Sequence, residues 1–266
     1  MPLKKIAIFA ATPWEMGAVR SAFPPGVERR IGSLSVSVHT MGHREYWLAQ
    51  TGVGLEKAGR SAAQLLDGRS FCLMISTGFA CALVATSIGA LLVGRDVVQR
   101  GARGEESSQA IDMPGEERDF MLSFVDPLAP PERIGRFVST NRIIGRASEK
   151  EQFAQNTHAI GLDMESSALA VEAQRAQVPF MIIRTVSDLL DEDLPLDFNL
   201  FLRPTGWLKG IGTVLADPAS LLGLGRLRRQ SLVAGETLTA FFRSYAEAMA
   251  TERADKKSHR HHHDAT

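Results

Sequence analysis

The chain has 266 residues, enough to bury the core of one sizeable α/β domain. Thirty basic and thirty acidic side chains cancel, so no overall field draws it to nucleic acid or to an anionic membrane. Hydrophobic residues make up 44% and charged residues 23%, which excludes a fibrous or intrinsically disordered chain.

Residues 5–10 predict a buried first strand, and Pro13, Trp14 and Glu15 end that run too soon for a signal peptide. Residues 34–39 alternate and predict a second strand. Residues 47–50 predict another, ahead of Gly52 and Gly54. Residues 55–66 have helical spacing, with Leu55, Ala58, Ala62, Leu65 and Leu66 on one side. The uncharged run 72–94 is interrupted by Ser76, Thr77, Gly78, Thr86, Ser87 and Gly89. It reads as strand, turn and strand (71–76 and 91–98) rather than a bilayer span. Cys72 and Cys81 lie within it without a metal-ligand spacing, as expected for reduced core residues of a cytoplasmic protein.

Residues 100–131 are polar and contain Gly and Pro, so a loop-rich region is expected there. Strands are predicted at 135–139 and 159–162, a helix rich in small residues at 165–176, and a strongly apolar strand at 180–186 behind Pro179. This alternation favours a layered α/β domain over a bundle or a sandwich. The stretch 198–231 carries more apolar side chains than a connection needs, Trp207, Leu208 and Leu221 among them. Residues 232–249 predict a closing amphipathic helix with Leu238, Phe241, Phe242 and Tyr245 facing the core. The domain is therefore drawn over 1–250, with a disordered tail over 251–266; its His259, His261, His262 and His263 are not read as a metal site.

Open α/β sheets hold ligands beyond the carboxyl ends of their strands. Four such ends carry groups able to do chemistry: Glu15; Ser76, Thr77 and Gly78; Asp163, Met164 and Glu165; and Ser187 with Asp188. Each carboxylate also has a plainer reading. Glu15 and Glu165 suit the first turn of a helix through its dipole, and Asp188 suits a cap or turn. Taken together they suggest one cleft, where carboxyl groups in different environments supply an acid and a base.

The segment Gly161-Leu-Asp-Met-Glu-Ser-Ser-Ala-Leu-Ala170, followed by Val178-Pro-Phe-Met-Ile-Ile-Arg-Thr-Val-Ser-Asp188, closely resembles the signature of the nucleosidase branch of the nucleoside phosphorylase/nucleosidase superfamily. Methylthioadenosine/S-adenosylhomocysteine nucleosidases are its best-known members. Thr51-Gly-Val-Gly-Leu-Glu-Lys-Ala58, Ser76-Thr-Gly-Phe-Ala80 and the opening Ile6-Ala-Ile-Phe-Ala-Ala-Thr-Pro-Trp-Glu15 resemble further segments of the family in the right order. The resemblance covers residues 4–190 and the final helix. It implies a single-domain, three-layer α/β fold with a central mixed sheet flanked by helices.

Residue by residue, the resemblance implies that Glu165 accepts hydrogen bonds from the ribose hydroxyls while Met164 packs on the sugar. Asp188 protonates purine N7 as the bond breaks, Ser187 helps to place it, and Glu15 acts on the attacking water. Ile143 and Ile144 line the base pocket. No metal or organic cofactor is implied. The expected partners are a small-molecule nucleoside and further copies of the chain in a homo-oligomer, a dimer at least, with no nucleic acid.

Phosphorylases of the superfamily hold phosphate with arginines near the first turn and before the Gly-rich segment. Residues 13–15 and 75–78 have none there, and a carboxylate at the nucleophile site repels phosphate, so hydrolysis is favoured over phosphorolysis. The chain departs from the usual pattern in Phe79, where a small or hydroxyl residue is expected, and in Cys81 and Ala82, which replace glycines. Phe79 either narrows the cleft against the ligand or fills core space. The stretch 198–231 is a second departure. It reads as an interface or covering layer, or else as a lid for a bulky apolar 5′-substituent or a membrane-surface contact. The expected substrate is a 5′-modified purine nucleoside of methylthioadenosine, futalosine or adenosylhopane type. A phosphorylase and a non-catalytic nucleoside-binding protein are the alternatives.

Overall fold

The computed structural model describes residues 3–100, 106–110, 113–195, 199 and 218–263. In chain order the elements are β1 (Lys4–Ala10), α1 (Pro13–Arg20), β2 (Val27–Ile31), β3 (Leu34–Met41), β4 (Arg44–Gln50), α2 (Leu55–Leu66), β5 (Leu73–Ala82), β6 (Leu91–Arg100), β7 (Glu106–Ala110), α3 (Glu116–Val125), β8 (Ile134–Thr140), α4 (Ala147–Thr157), β9 (Ala159–Asp163), α5 (Ser166–Arg175), β10 (Phe180–Asp188) and α6 (Pro218–His263).

The strands form one mixed sheet in the order β10-β6-β8-β9-β5-β1-β4-β3-β2, with β7 on β6. β10 also pairs with β5, so five strands close on themselves and β1 to β4 extend from the closed part. Each face of β1 is covered, which is why its sequence is an unbroken apolar run. Ile6, Ile8 and Ala10 enter a core with Met16 and Val19 of α1, Met121 of α3 and Leu238, Phe242 and Tyr245 of α6. Ala7 and Phe9 enter the opposite core with Ala58, Ala62 and Leu65 of α2 and Leu169 of α5. The three-layer α/β architecture with a central mixed sheet is thus the one observed.

β5 creates the opening for a site. Along one edge it pairs with β10 from Met74 to Cys81. Along the other it pairs with β1 only from Leu73 to Ser76, and with β9 only at Cys81 and Ala82. Residues 77–80 therefore lie in a gap where the carboxyl ends of β1 and β9 approach each other. In β10 the register slips between Val186 and Asp188, so Ser187 is the extra residue of a bulge. Bulges beside functional sites re-aim side chains, here those of residues 187 and 188.

The structure corrects three expectations. Residues 100–131 hold β7 and α3, not only loops. The buried face of α3 includes Glu117 and Arg118 with Met121 and Val125, so its pattern does not announce a core-facing helix. The closing helix, expected over 232–249, starts at Pro218, and the tail expected to be disordered from Thr251 continues it to His263. Good helix formers such as Glu252, Arg253, Ala254 and Lys256 follow one another there with no Gly or Pro to stop them. Leu238, Phe241, Phe242 and Tyr245 of this helix are buried as expected. Of the apolar stretch 198–231, residues 198 and 200–217 lie outside the described residues, and the interface, lid and membrane-surface readings of those residues fall outside with them. No helix among the described residues is long and apolar enough to cross a membrane.

Candidate active site

A cavity of about 350 Å³ opens at the β5 gap, within the usual size range of small-molecule sites. Glu15, Phe79, Ile143, Ile144, Met164, Glu165, Ser187 and Asp188 all line it, together with Ala11, Thr12, Val53, Cys81, Asp163, Leu194 and Leu227. All eight residues singled out in the sequence are therefore brought to one place, although they span more than 170 positions.

Glu15 arrives there by a helix start. Thr12 is the N-cap of α1, Pro13 follows it, and Thr12 and Glu15 form a reciprocal capping box. The backbone N–H and hydroxyl of Thr12 donate to Glu15 Oε2 at 2.7 and 2.8 Å, and the Phe79 N–H donates to Oε1 at 2.7 Å. Glu15 is thus both part of a helix cap and a cavity residue. Three bonds leave a carboxylate with acceptor capacity for one more donor.

Glu165 stands at the cap position of α5, yet its side chain caps nothing. Asp163 does that work: its Oδ1 accepts from the N–H groups of Glu165 and Ser166 at 3.2 Å and from the Ser139 hydroxyl at 2.6 Å, and its Oδ2 accepts from the Ser166 hydroxyl. Released from capping, Glu165 Oε1 accepts from the Gly54 N–H at 2.9 Å. Burial pushes the Glu165 carboxyl up to about 7, although the Arg184 guanidinium opposes the rise; the charges of Asp163 and Glu15 add to it.

Arg184 is the cation shared by these three carboxylates. Only 1% of its side chain is exposed, and it lies 3.0 Å from Asp163, 3.5 Å from Glu165 and 3.9 Å from Glu15. It also donates to the hydroxyls of Ser76 and Ser166 and to the Phe79 carbonyl. The sequence marks Arg184 only as a family match, and its hub position is a feature of the fold. A carboxylate surplus surrounds it, which favours a developing positive charge and disfavours an entering anion.

Asp188 belongs to a separate electrostatic group. It is buried, and its Oδ1 accepts a 2.7 Å bond from Lys150. Burial raises its carboxyl above the ordinary carboxylate value, and Lys150 opposes that rise. Sequence reasoning missed Lys150 altogether. Nearby, Asn199 clamps the backbone of Ile143, accepting from its N–H at 2.7 Å and donating to its carbonyl at 2.8 Å. Among the described residues no group of His, Cys, Asp and Glu is placed to hold a metal ion.

Gly78 shows how tightly the cavity is built around Glu15. Its φ is +132°, and a Cβ there would fall inside contact distance of the Glu15 carboxylate and 2.9 Å from Arg184 Nη1. The Glu15 carboxylate, held by three hydrogen bonds, cannot swing away freely. Gly78→Ala is expected to lower kcat by about tenfold or more and to destabilise the fold by about 1–3 kcal/mol through backbone strain. Steady-state kinetics with a thermal melt checks this, and wild-type values for both would show that Glu15 needs no fixed place.

A sequence model of the phosphorylase superfamily matches residues 5–203. The chain is 28% identical over 209 residues to a 5′-methylthioadenosine/S-adenosylhomocysteine nucleosidase of Staphylococcus epidermidis, covering 74% of this chain and 92% of that one. It is similar in fold to the Helicobacter pylori nucleosidase of the same name, with a TM-score of 0.71 at 17% identity over 93% of this chain and 100% of that one. It also resembles the futalosine hydrolase of Helicobacter pylori, with a TM-score of 0.64 at 18% identity over 86% of this chain and 98% of that one. With the match spanning most of its length, the chain belongs to the phosphorylase superfamily.

Proposed function

We propose that this protein is a nucleosidase that hydrolyses the N-glycosidic bond of a 5′-modified purine nucleoside and releases the base. The observation that carries this reading is the division of one cavity into two charge groups: Glu15 and Glu165 around Arg184, and Asp188 on Lys150. Glycosidic cleavage needs both. The sugar becomes oxocarbenium-like and gains from carboxylates beside it, while the departing purine gathers negative charge and needs a proton.

In this assignment Glu165 accepts the ribose hydroxyls and Met164 packs against the sugar. Glu15 uses its remaining acceptor capacity to orient water for attack on the anomeric carbon. Asp188 gives its proton to N7, and Ser187, the bulge residue, fixes its direction. Ile143 and Ile144 supply the apolar wall for the base. Water is favoured over phosphate because both terminal nitrogens of Arg184 are already engaged and the surrounding carboxylates repel an anion.

A bulky apolar 5′-group fits this chain best among the methylthioadenosine, futalosine and adenosylhopane types. Phe79 lines the cavity and also a second groove of about 460 Å³ between α1 and α6. Trp14 and Leu232 line that groove with 60% and 54% of their surfaces exposed, and Gly17, Ala18 and Gly235 make its floor small. In this assignment Phe79 is a partition beside the ligand, while it also packs against the core built with α1 and α6. Free Cys72 and Cys81 suit a cytoplasmic location, and a homodimer is the proposed assembly.

Incubating the purified protein with candidate nucleosides, with and without phosphate, tests the reading. Free purine and free sugar in phosphate-free buffer are the expected products. Strict dependence on phosphate with a sugar 1-phosphate product would make it a phosphorylase. Purine binding without release at any protein concentration would make it a binding protein.

A further inference from the structure

Lys150 sits in the first turn of α4, a polar helix in which Thr157 is the only other buried residue. A lysine with no exposed surface is costly unless its charge is met, and this one is met completely. Its Nζ donates to Asp188 Oδ1 at 2.7 Å, to the Leu189 carbonyl at 2.8 Å and to the Glu192 carbonyl at 2.5 Å. Three acceptors need three N–H bonds, which only the ammonium form possesses. The two carbonyl bonds suffice to tie α4 to the turn after β10. The third goes to the carboxyl group that protonates the leaving base.

We propose that Lys150 is a positioning residue for that acid, anchoring Asp188 through Oδ1 and keeping a fixed positive charge against it throughout turnover. The proposal rests on Asp188 being the acid. As the C–N bond breaks, its electron pair passes to the purine and the Asp188 carboxyl proton passes to N7. The product is a neutral base, and Asp188 is left as a carboxylate facing the Lys150 ammonium. The water oriented by Glu15 adds its oxygen to the anomeric carbon and gives up one proton, which passes through solvent to restore the Asp188 carboxyl before the next turnover. Lys150 thus stabilises the form of Asp188 that exists after proton transfer, which makes it a stronger acid.

Among the described residues, three groups face Asp188. Lys150 approaches from α4, the Cys81 thiol from β5, and Glu192 from the turn after β10, the last bonded to Gln230 and 3.9 Å from Arg226 on α6. Lys150 is the cation in contact. Removing it leaves burial and Glu192, which hold the proton on Asp188, opposed only by the Cys81 hydrogen bond. The protonated acid then persists to higher pH but gives its proton up less readily.

The test measures kcat and KM against pH for Lys150→Met, Lys150→Gln and Lys150→Arg. Both neutral variants are expected to move the basic limb of kcat upward by about one pH unit or more. Their plateau kcat should fall by about tenfold while KM changes less than about threefold. Lys150→Arg should bring the limb back toward its wild-type position. Glutamine can still donate to the carbonyls, so it serves if the methionine variant fails to fold. A basic limb that stays in place in the folded neutral variants, or that moves as far with arginine, overturns the proposal. Asp188→Asn separates the two readings: turnover retained there removes the acid assignment itself, whereas a dead Asp188→Asn beside an unmoved limb removes only Lys150.

Discussion

Asp188→Asn is expected to lower kcat by roughly 10²- to 10⁴-fold, the usual worth of a positioned general acid, while the protein still folds. Asparagine keeps the shape of the side chain and can still accept the Lys150 hydrogen bond through its amide oxygen, so the turn after β10 stays tied to α4. The buried ammonium loses the carboxylate that it faces whenever Asp188 is ionised, which costs about 1–3 kcal/mol of stability under those conditions. What asparagine cannot do is part with a proton. Purine binding should therefore survive, because the apolar wall at Ile143 and Ile144 is untouched. Titration calorimetry with free adenine, together with single-turnover rates, separates binding from chemistry. A variant that keeps near-normal kcat would remove Asp188 from the acid role.

The same residues show what a sequence discloses about such a site. α2 was legible to the residue, because Ala58, Ala62 and Leu65 repeat at helical spacing and pack against the sheet. β1, β5, β6 and β10 were legible as apolar runs, since both of their faces are covered. α1 was foreseen only as the plainer reading of Glu15, although Thr12-Pro-Trp-Glu15 spells a capping box with proline at the first helical position. α4 was not predicted for a different reason: its buried residues are Lys150 and Thr157, so no apolar stripe marks it. The eight cavity residues were legible through family resemblance, which encodes where strand ends meet. The charge network that makes them work was not. Arg184 entered the sequence reading only as part of the matching segment and Lys150 not at all, yet the fold buries them against Asp163, Glu165 and Asp188.

Glu165→Gln is expected to weaken catalysis and strengthen the fold, with both effects depending on pH. The Glu165 carboxyl is pushed up by burial from an ordinary 4.5 to about 7. Between those values the folded protein keeps a proton that the unfolded chain has lost, so stability falls as pH rises through that window. Above about 7 the full cost of a buried, ionised carboxylate is carried; below about 4.5 none of it is. Glutamine has no such titration. The variant should therefore melt higher than wild type at pH 8, by an amount on the order of 1–3 kcal/mol, and match it near pH 5. Binding runs the other way. The ribose hydroxyls are donors and need the ionised carboxylate, so wild-type kcat/KM should climb as pH rises toward about 7, until loss of the Asp188 proton turns the profile down. Glutamine turns an NH₂ toward one of those donors, which lowers kcat/KM by about 10- to 100-fold, the cost of a lost hydrogen bond to a charged acceptor, and removes that acid limb. Melting curves and kcat/KM profiles over pH 5–8.5 measure both sides. If the two proteins melt alike at every pH, Glu165 is not held in a strained ionised state. If kcat/KM is unchanged by the substitution, the sugar does not rest on it. When both shifts are found, the instability of the empty site and the affinity for ribose have one origin, since the same burial that penalises the bare carboxylate strengthens its bonds to the bound hydroxyls.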